Sequence, residues 1–323
     1  MRQWWVVPGP DGAVPELRTV ESPTAGPGQV VVEVAGAGIN RGELIGGGLL
    51  RSDNPAARPA PSGIEAAGTV AEIGAGVQGW SIGDRVMARG RACHADRVVV
   101  DAEALLASPT SLDDIEASAI PNVFVTAHDA LVTAAGVGPD DVVMVTAGPS
   151  GVGTAAIQIA RHVGATVVAT TRSAGKAATL SDLGAHLVVD TTRDNWVSHV
   201  IDEVGTVSCV IDQVGGDLFP TLLDSLGVGG RYVSVGRNAG PTSTIDLDLL
   251  ARQRLTLIGV TFRTRTREES IECSRRFASD LLHLFDSGEL RPVIDRTFPL
   301  DELSAAHSYM RTDSGVGKVL LVP

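Results

Sequence analysis

Val142-Val143-Met144-Val145-Thr146-Ala147-Gly148-Pro149-Ser150-Gly151-Val152-Gly153-Thr154-Ala155-Ala156-Ile157-Gln158-Ile159-Ala160 is the stretch from which the fold can be read. A short apolar run rich in β-branched residues stops at a glycine-bearing turn. Helical apolar spacing follows at once, at Val152, Ala156, Ile159, Ala160 and Val163. That order predicts a buried parallel strand, a tight turn and a helix N-terminus, the local geometry that holds a pyrophosphate. Glycine tolerates unusual backbone angles, lets the chain approach phosphate oxygens and allows close helix–strand packing. The spacing is Gly-x-x-Gly-x-Gly at 148, 151 and 153, not the commoner Gly-x-Gly-x-x-Gly. Taken alone it is a weak motif, and a tight turn without a ligand competes with it. The strand before it, the helix after it and the downstream pattern strengthen it.

Downstream, strand candidates at 142–147, 166–171, 186–190, 208–213, 231–235 and 255–260 alternate with helical segments at 152–163, 174–183, 194–204 and 217–226. Alternation of this kind predicts an α/β unit with a doubly wound parallel sheet of the Rossmann type, in strand order 3-2-1-4-5-6. A further helix is expected at about 267–287, and Gly317-Lys318-Val319-Leu320-Leu321-Val322-Pro323 reads as a strand.

Upstream, residues 1 to about 118 read as strands and turns. The candidates are 29–35, 68–73, 80–88 with a turn in its first half, and 95–100. Short strands with glycine-rich punctuation suggest a small barrel-like β domain. Gly46 to Pro61 (GGGLLRSDNPAARPAP) has little periodicity and reads as a long surface loop. The expected domains are 1–118, 119–260, and 261–323 returning to the first, with a ligand crevice between the two.

At 323 residues the chain exceeds the roughly 250–300 at which a single core stops growing, which again predicts two domains. A net charge of −12 argues against a sequence-independent nucleic-acid surface. Cys93, Cys209 and Cys273 are distant and odd in number, which fits a reducing compartment and gives no disulfide framework. No apolar run approaches membrane length, and the N-terminal one is too short for a signal peptide. The expectation is a cytoplasmic protein.

The second strand ends in Thr171-Arg172-Ser173-Ala174-Gly175-Lys176. An NAD-selective site places an acidic residue about 20 positions after the glycine turn, on the ribose 2′-hydroxyl. Here Arg172 stands 19 positions after Gly153, and the next acidic residue is Asp182. Arg, Ser and Lys supply donors and positive charge for a 2′-phosphate. Lys176 is one of only two lysines, with Lys318. This favours NADPH over NADH.

Several further stretches carry a resemblance: 37–43 (AGINRGE), 61–70 (PSGIEAAGTV), 77–86 (VQGWSIGDRV), 119–127 (AIPNVFVTA), the glycine turn, 212–216 (DQVGG), 229–236 (GGRYVSVG) and 317–323. Together, in order and over nearly the whole chain, they resemble the zinc-independent quinone oxidoreductase (zeta-crystallin-like) branch of the medium-chain dehydrogenase/reductase family. The resemblance implies a GroES-like β-rich catalytic domain, a Rossmann domain, NADPH, and a homodimer joined through the sixth Rossmann strand. Zinc relatives place a cysteine where this chain has Asn40 and a histidine where it has Ile64. No metal is therefore expected, and Cys93-His94, without a visible third ligand, reads as structural.

Carried over by resemblance, Asn40 matches a substrate-side asparagine and Thr126 a threonine near the nicotinamide; these are the candidate catalytic residues. Gly148, Ser150, Gly151, Val152 and Gly153 make up the pyrophosphate turn, and Thr171, Arg172, Ser173 and Lys176 the 2′-phosphate end. Gly236 and Asn238 fall on the loop after the fifth strand, Phe262 and Arg263 on the loop after the sixth. Lys318 matches a cofactor-side position; an exposed strand charge is its alternative. The chain departs from the pattern in having only two tyrosines, Tyr232 and Tyr309, so a tyrosine often found after the Asn40 segment is missing. Thr191 or Thr192 replaces another that packs on adenine.

The implied reaction is hydride transfer to a quinone or an α,β-unsaturated carbonyl, with Asn40 as a donor to the developing oxyanion and water as the proton source. A dedicated enone or enoyl reductase of a polyketide-type pathway is the nearest alternative. An NADPH-binding protein without turnover, with or without an RNA-binding role, is the alternative of another class. A cofactor-dependent enzyme without redox chemistry is a third.

Overall fold

Val142–Val145 forms a strand whose last three residues are fully buried, as an apolar run inside a covered parallel sheet must be. The computed structural model describes residues 1–9, 12–45 and 58–323. They divide into two compact units: Met1–Val125 with Arg267–Pro323, and Thr126–Thr266.

In the second unit, strands Leu187–Asp190, Thr166–Thr171, Val142–Val145, Val207–Asp212, Leu226–Ser234 and Thr256–Gly259 lie side by side in that order, all parallel. This is the expected 3-2-1-4-5-6 order. The connecting helices are Gly151–His162, Ala177–Asp182, Trp196–Val204 and Leu218–Asp224. The second starts later than 174 because a 3₁₀ turn, Ala174–Lys176, precedes it. Met144, Val168, Val210, Val200 and Leu222 form the centre of this unit's core.

The glycine turn differs from expectation in one respect. Gly148, Gly151 and Gly153 all avoid positive φ; the left-handed residue is Ala147, at φ 47°. Two of the glycines are there for room. A Cβ on Gly153 would lie 2.5 Å from the Ala147 carbonyl oxygen and 2.6 Å from that of Gly148. A Cβ on Gly148 would meet Leu180, Ala169 and the Thr170 oxygen at 3.1–3.2 Å. The helix can start this close to the turn only without those side chains.

In the first unit, Gln29–Ile39 is the central strand. It pairs antiparallel with Glu65–Ile73, Arg97–Asp101 and Lys318–Val322. Arg85–Arg89 and Leu105–Ala107 extend the sheet on one side, and Ile294–Pro299 on the other. A small second sheet joins Arg2–Gly9 to Gly12–Thr19 and to Ala60–Pro61. The expected loop 46–61 is corrected at its end, where Ala60 and Pro61 pair with Val6 and Trp5; residues 46–57 lie outside those described. The expected helix at 267–287 is two helices, Arg267–Leu281 and His283–Asp286. Phe277 and Phe285 from them pack with Phe124 at centroid distances of 4.9–6.4 Å. Among the described residues no helix is long and apolar enough to cross a membrane.

Because the atoms facing Gly153 are backbone and cannot rotate away, Gly153→Ala is expected to destabilise the protein by about 1–3 kcal/mol or more. Urea unfolding measures this, and an unchanged midpoint would refute the close-approach explanation.

Candidate functional site

One polar network of the second unit lies at the start of helix Gly151–His162. Ser150 is its N-cap: the Oγ accepts from the Gly153 amide at 3.0 Å and donates to Gln213 Oε1 at 2.8 Å. Gln213 Nε2 donates to the Thr146 carbonyl at 2.8 Å. Thr146 Oγ1 donates to Asp212 at 2.7 Å and accepts from the Gln213 amide at 2.8 Å. The fully buried Asp212 carboxylate also accepts from the amides of Val214 and Gly215, both at 2.9 Å, and from the Tyr232 hydroxyl. Burial, reinforced by Asp212, pushes the Tyr232 hydroxyl far up and keeps it a donor. The first turn of the helix is thus hydrogen-bonded to the ends of the first and fourth strands. The amides of Gly151 and Val152 come before any intrahelical acceptor and are the groups a helix start presents to an anion.

At the end of the second strand, Arg172 and Ser173 are exposed and Lys176 is half-buried on the 3₁₀ turn. Thr171 is buried, and its hydroxyl accepts from the Ser173 amide at 3.1 Å, shaping the turn. Gly236 packs against Gln213, whose carbonyl oxygen a Cβ would meet at 2.4 Å. Asn238 and Arg263 are exposed and Phe262 is half-buried. Thr126 is nearly buried in helix Pro121–His128.

The first unit holds a different kind of cluster. Lys318 Nζ donates to Glu65 Oε1 at 2.7 Å, to Asn40 Oδ1 at 2.8 Å and to the Ile39 carbonyl at 2.9 Å. Its three hydrogens are used and its side chain is buried, so Lys318 is not an exposed strand charge. Asn40 Nδ2 donates to Glu65 at 2.8 Å and to Glu43 at 3.2 Å, while its oxygen also accepts from Asn122 Nδ2 at 2.9 Å. Both amide hydrogens of Asn40 are engaged inside this cluster. Asn122 also donates its backbone N–H to Glu65 Oε2 at 2.7 Å. Glu65, Glu43 and Asn122 were legible only as members of motifs, and Gln213, Thr146 and Asp212 had no local signal of a shared network.

Glu43 is the uncompensated group. Its Oε1 accepts from the backbone and side chain of Asn40, while its buried Oε2 has no hydrogen-bond partner and lies 3.7 Å from His94 Nε2. Burial raises the Glu43 carboxyl from 4.5 to about 7, assisted by Glu65 and opposed by Asn40 and Lys318. Burial lowers His94 to about 4, with Lys318 adding to this and the Gly38 carbonyl and Glu65 opposing it. His307 falls to about 4 through burial, helped by His94 and Arg311. His94 Nδ1 pairs with Ser62 Oγ at 2.8 Å. Cys93 is buried, its thiol pushed far up by desolvation. Among the described residues no group of three His, Cys, Asp or Glu side chains is arranged to hold a metal ion.

Two family models match the chain: an alcohol dehydrogenase GroES-like domain at residues 26–109, and a zinc-binding dehydrogenase domain at 151–279. A quinone oxidoreductase from Salmonella typhimurium is 31% identical over 95% of this chain and 95% of its own. A spectinabilin polyketide synthase system protein, NorB from Streptomyces orinoci, is 32% identical over 99% of this chain, which spans only 14% of that relative's length. A mycobacterial protein solved in complex with NADPH superposes with a TM-score of 0.88 at 28% identity, covering 100% of both chains.

The buried groups set opposite pH dependences. Glu43 is raised on folding, so its contribution to stability is complete below about pH 4.5 and is lost as pH rises through about 7. His94 and His307 are lowered, so theirs is complete above about 6.5 and is lost as pH falls through about 4. Glu43→Gln removes only the first. Its stability relative to the unsubstituted protein is expected to improve from pH 5 to pH 8 by up to about 3 kcal/mol. Urea unfolding across that range reads the difference, and a pH-independent difference would reject the raised Glu43 carboxyl.

Proposed function

The chain belongs to the quinone oxidoreductase branch of the medium-chain dehydrogenase/reductase family, and from that premise we propose that it uses NADPH to reduce a quinone or an α,β-unsaturated carbonyl without zinc. The observation that carries the reading is the pairing of a capped, glycine-cleared helix start with an exposed Arg172-Ser173 and a nearby Lys176. These residues fit a dinucleotide carrying a 2′-phosphate. Gly151 and Val152 would hold the diphosphate with backbone amides. Arg172, Ser173 and Lys176 would hold the 2′-phosphate, where a carboxylate would repel it. Thr126, Asn238, Phe262 and Arg263 are proposed for the nicotinamide half. When bound, the cofactor supplies the hydride.

The chain's own residues then have separable tasks. Ser150 fixes the helix start through Gln213, so the amides are aimed before any ligand arrives. In the other unit, Asn40 holds Glu43, Glu65 and Lys318 in one hydrogen-bonded set and acts as a positioning residue. Glu43, raised to about 7, is a carboxyl of that set able to hold a proton near neutral pH. Asn40 and Ile64 stand where zinc relatives carry ligands, which supports a reaction independent of zinc. A homodimer through Thr256–Gly259 is part of the proposal, supported by that strand's place at the sheet edge with Leu257 44% exposed.

The second reading is a dedicated enone or enoyl reductase of a biosynthetic pathway. The match of the whole chain to one segment of a polyketide synthase protein favours it.

NADPH oxidation against a panel of quinones and small enones, with NADH and a chelator in parallel, separates these readings. Turnover with NADPH, weak with NADH and indifferent to chelation, is expected. Binding of NADPH without turnover would favour the dedicated reductase or a non-catalytic role, and no NADPH binding would overturn the proposal. Arg172→Asp is expected to weaken NADPH binding by about tenfold or more while leaving NADH binding nearly unchanged. Equal losses would remove Arg172 from the 2′-phosphate site.

A further inference from the structure

After the sixth strand of the second unit, Thr256–Gly259, residues 260–266 form neither helix nor strand. The start of the segment is tied to the sheet by the Val260 amide, which donates to the Ser234 carbonyl at 2.9 Å. A local bond follows, from the Arg263 amide to Thr261 Oγ1 at 3.2 Å. Its far end is held by a side chain. Arg265 Nη2 donates to Asp129 Oδ2 at 2.6 Å, and Arg265 Nε donates back to the Thr261 carbonyl at 3.2 Å. The same guanidinium lies 5.0 Å from the centroid of the Phe262 ring.

One planar cation thus touches a carboxylate, a backbone carbonyl and an aromatic ring, a combination that suits arginine and not lysine. The Asp129 side chain is 2% exposed and that of Arg265 26%, so the pair is largely out of water and removing one partner would leave a buried charge. Asp129 opens a π-helical stretch, Asp129–Ala134, that continues helix Pro121–His128. It comes three residues after Thr126, hence on the same face of the helix. Departures from α-helical winding such as this one are frequent at functional sites.

We propose that Arg265, through Asp129, is a positioning residue that fixes the 260–266 segment against the Thr126 helix and so presents Phe262 and Arg263 to the nicotinamide half of NADPH. The inference rests on the reading of the second unit as an NADPH site. It assigns to a residue outside the glycine motif the ordering of one half of that site, and it predicts that the two halves of the cofactor respond differently when the pair is broken.

The test is calorimetric binding of two probes, NADPH and 2′,5′-ADP, the second of which lacks the nicotinamide half. Asp129→Asn keeps the side-chain shape and removes the charge; Arg265→Lys keeps the charge and removes the planar fork. Both are expected to weaken NADPH by about tenfold, Arg265→Lys somewhat less, while 2′,5′-ADP stays within about twofold of the unsubstituted protein. Equal losses for the two probes would mean a merely structural ion pair and would overturn the proposal, as would unchanged NADPH affinity in both variants. Should Asp129→Asn fail to fold, Arg265→Lys decides alone. If the unsubstituted protein binds neither probe, the NADPH reading itself fails; if it binds both and the variants match it, only the positioning role fails.

Discussion

Lys318 and Glu65, 253 residues apart in sequence, meet as a buried ammonium–carboxylate pair at 2.7 Å, and the polar interior of the first unit is arranged around them. Taking two such ions out of water costs more than their attraction returns unless the remaining hydrogen-bonding capacity is filled. Here it is filled. Lys318 spends its other hydrogens on Asn40 and the Ile39 carbonyl, while Glu65 accepts from Asn40 and the Asn122 amide. The strand Lys318–Val322 is therefore joined to Gln29–Ile39 by a charge as well as by backbone pairing, and Asn40, just beyond that strand, has its orientation fixed at both ends of its amide.

That satisfaction is what leaves Glu43 in an unusual state. The one ammonium in the cluster is already paired, and Asn40 can give Glu43 only the weaker of its two side-chain bonds, 3.2 Å against 2.8 Å to Glu65. The remaining Glu43 oxygen faces buried space near a neutral histidine. A carboxylate so placed retains its proton to about neutrality because its desolvation outweighs what Asn40 and Lys318 return to the ionised form. Of the two carboxyl groups sharing one asparagine, only Glu65 is reached by Lys318.

The fold was legible because its signals are local. Alternation of apolar strands with 3.6-period segments specified the parallel sheet and its order, and Gly148 and Gly153 marked the turn. The reason for those glycines was only partly legible: the positive φ belongs to Ala147, and the glycines serve close approach, a tertiary fact. The clusters were less legible for the same reason. Nothing in the neighbourhood of Lys318 says that it will be buried against residues near positions 40 and 65, so an exposed strand charge was the natural local reading. Asn40 was singled out, but the commitment of both its amide hydrogens depends on Glu43, Glu65 and the fold that brings them together. Gln213 illustrates the limit best: it lies in a recognisable DQVGG stretch, yet its function of fixing Ser150 is visible only in space.

The two units therefore use different physics for what they hold. The second offers backbone amides at a helix start, with Arg172 exposed and Lys176 half-buried at the end of its second strand. The first keeps its polar groups buried, where small differences in hydrogen bonding decide who carries a proton. The pH dependence of the first unit comes from Glu43, His94 and His307, all of them shifted by burial. A sequence can specify both kinds of site, but the first is written in adjacent residues and the second in residues that only the fold makes neighbours.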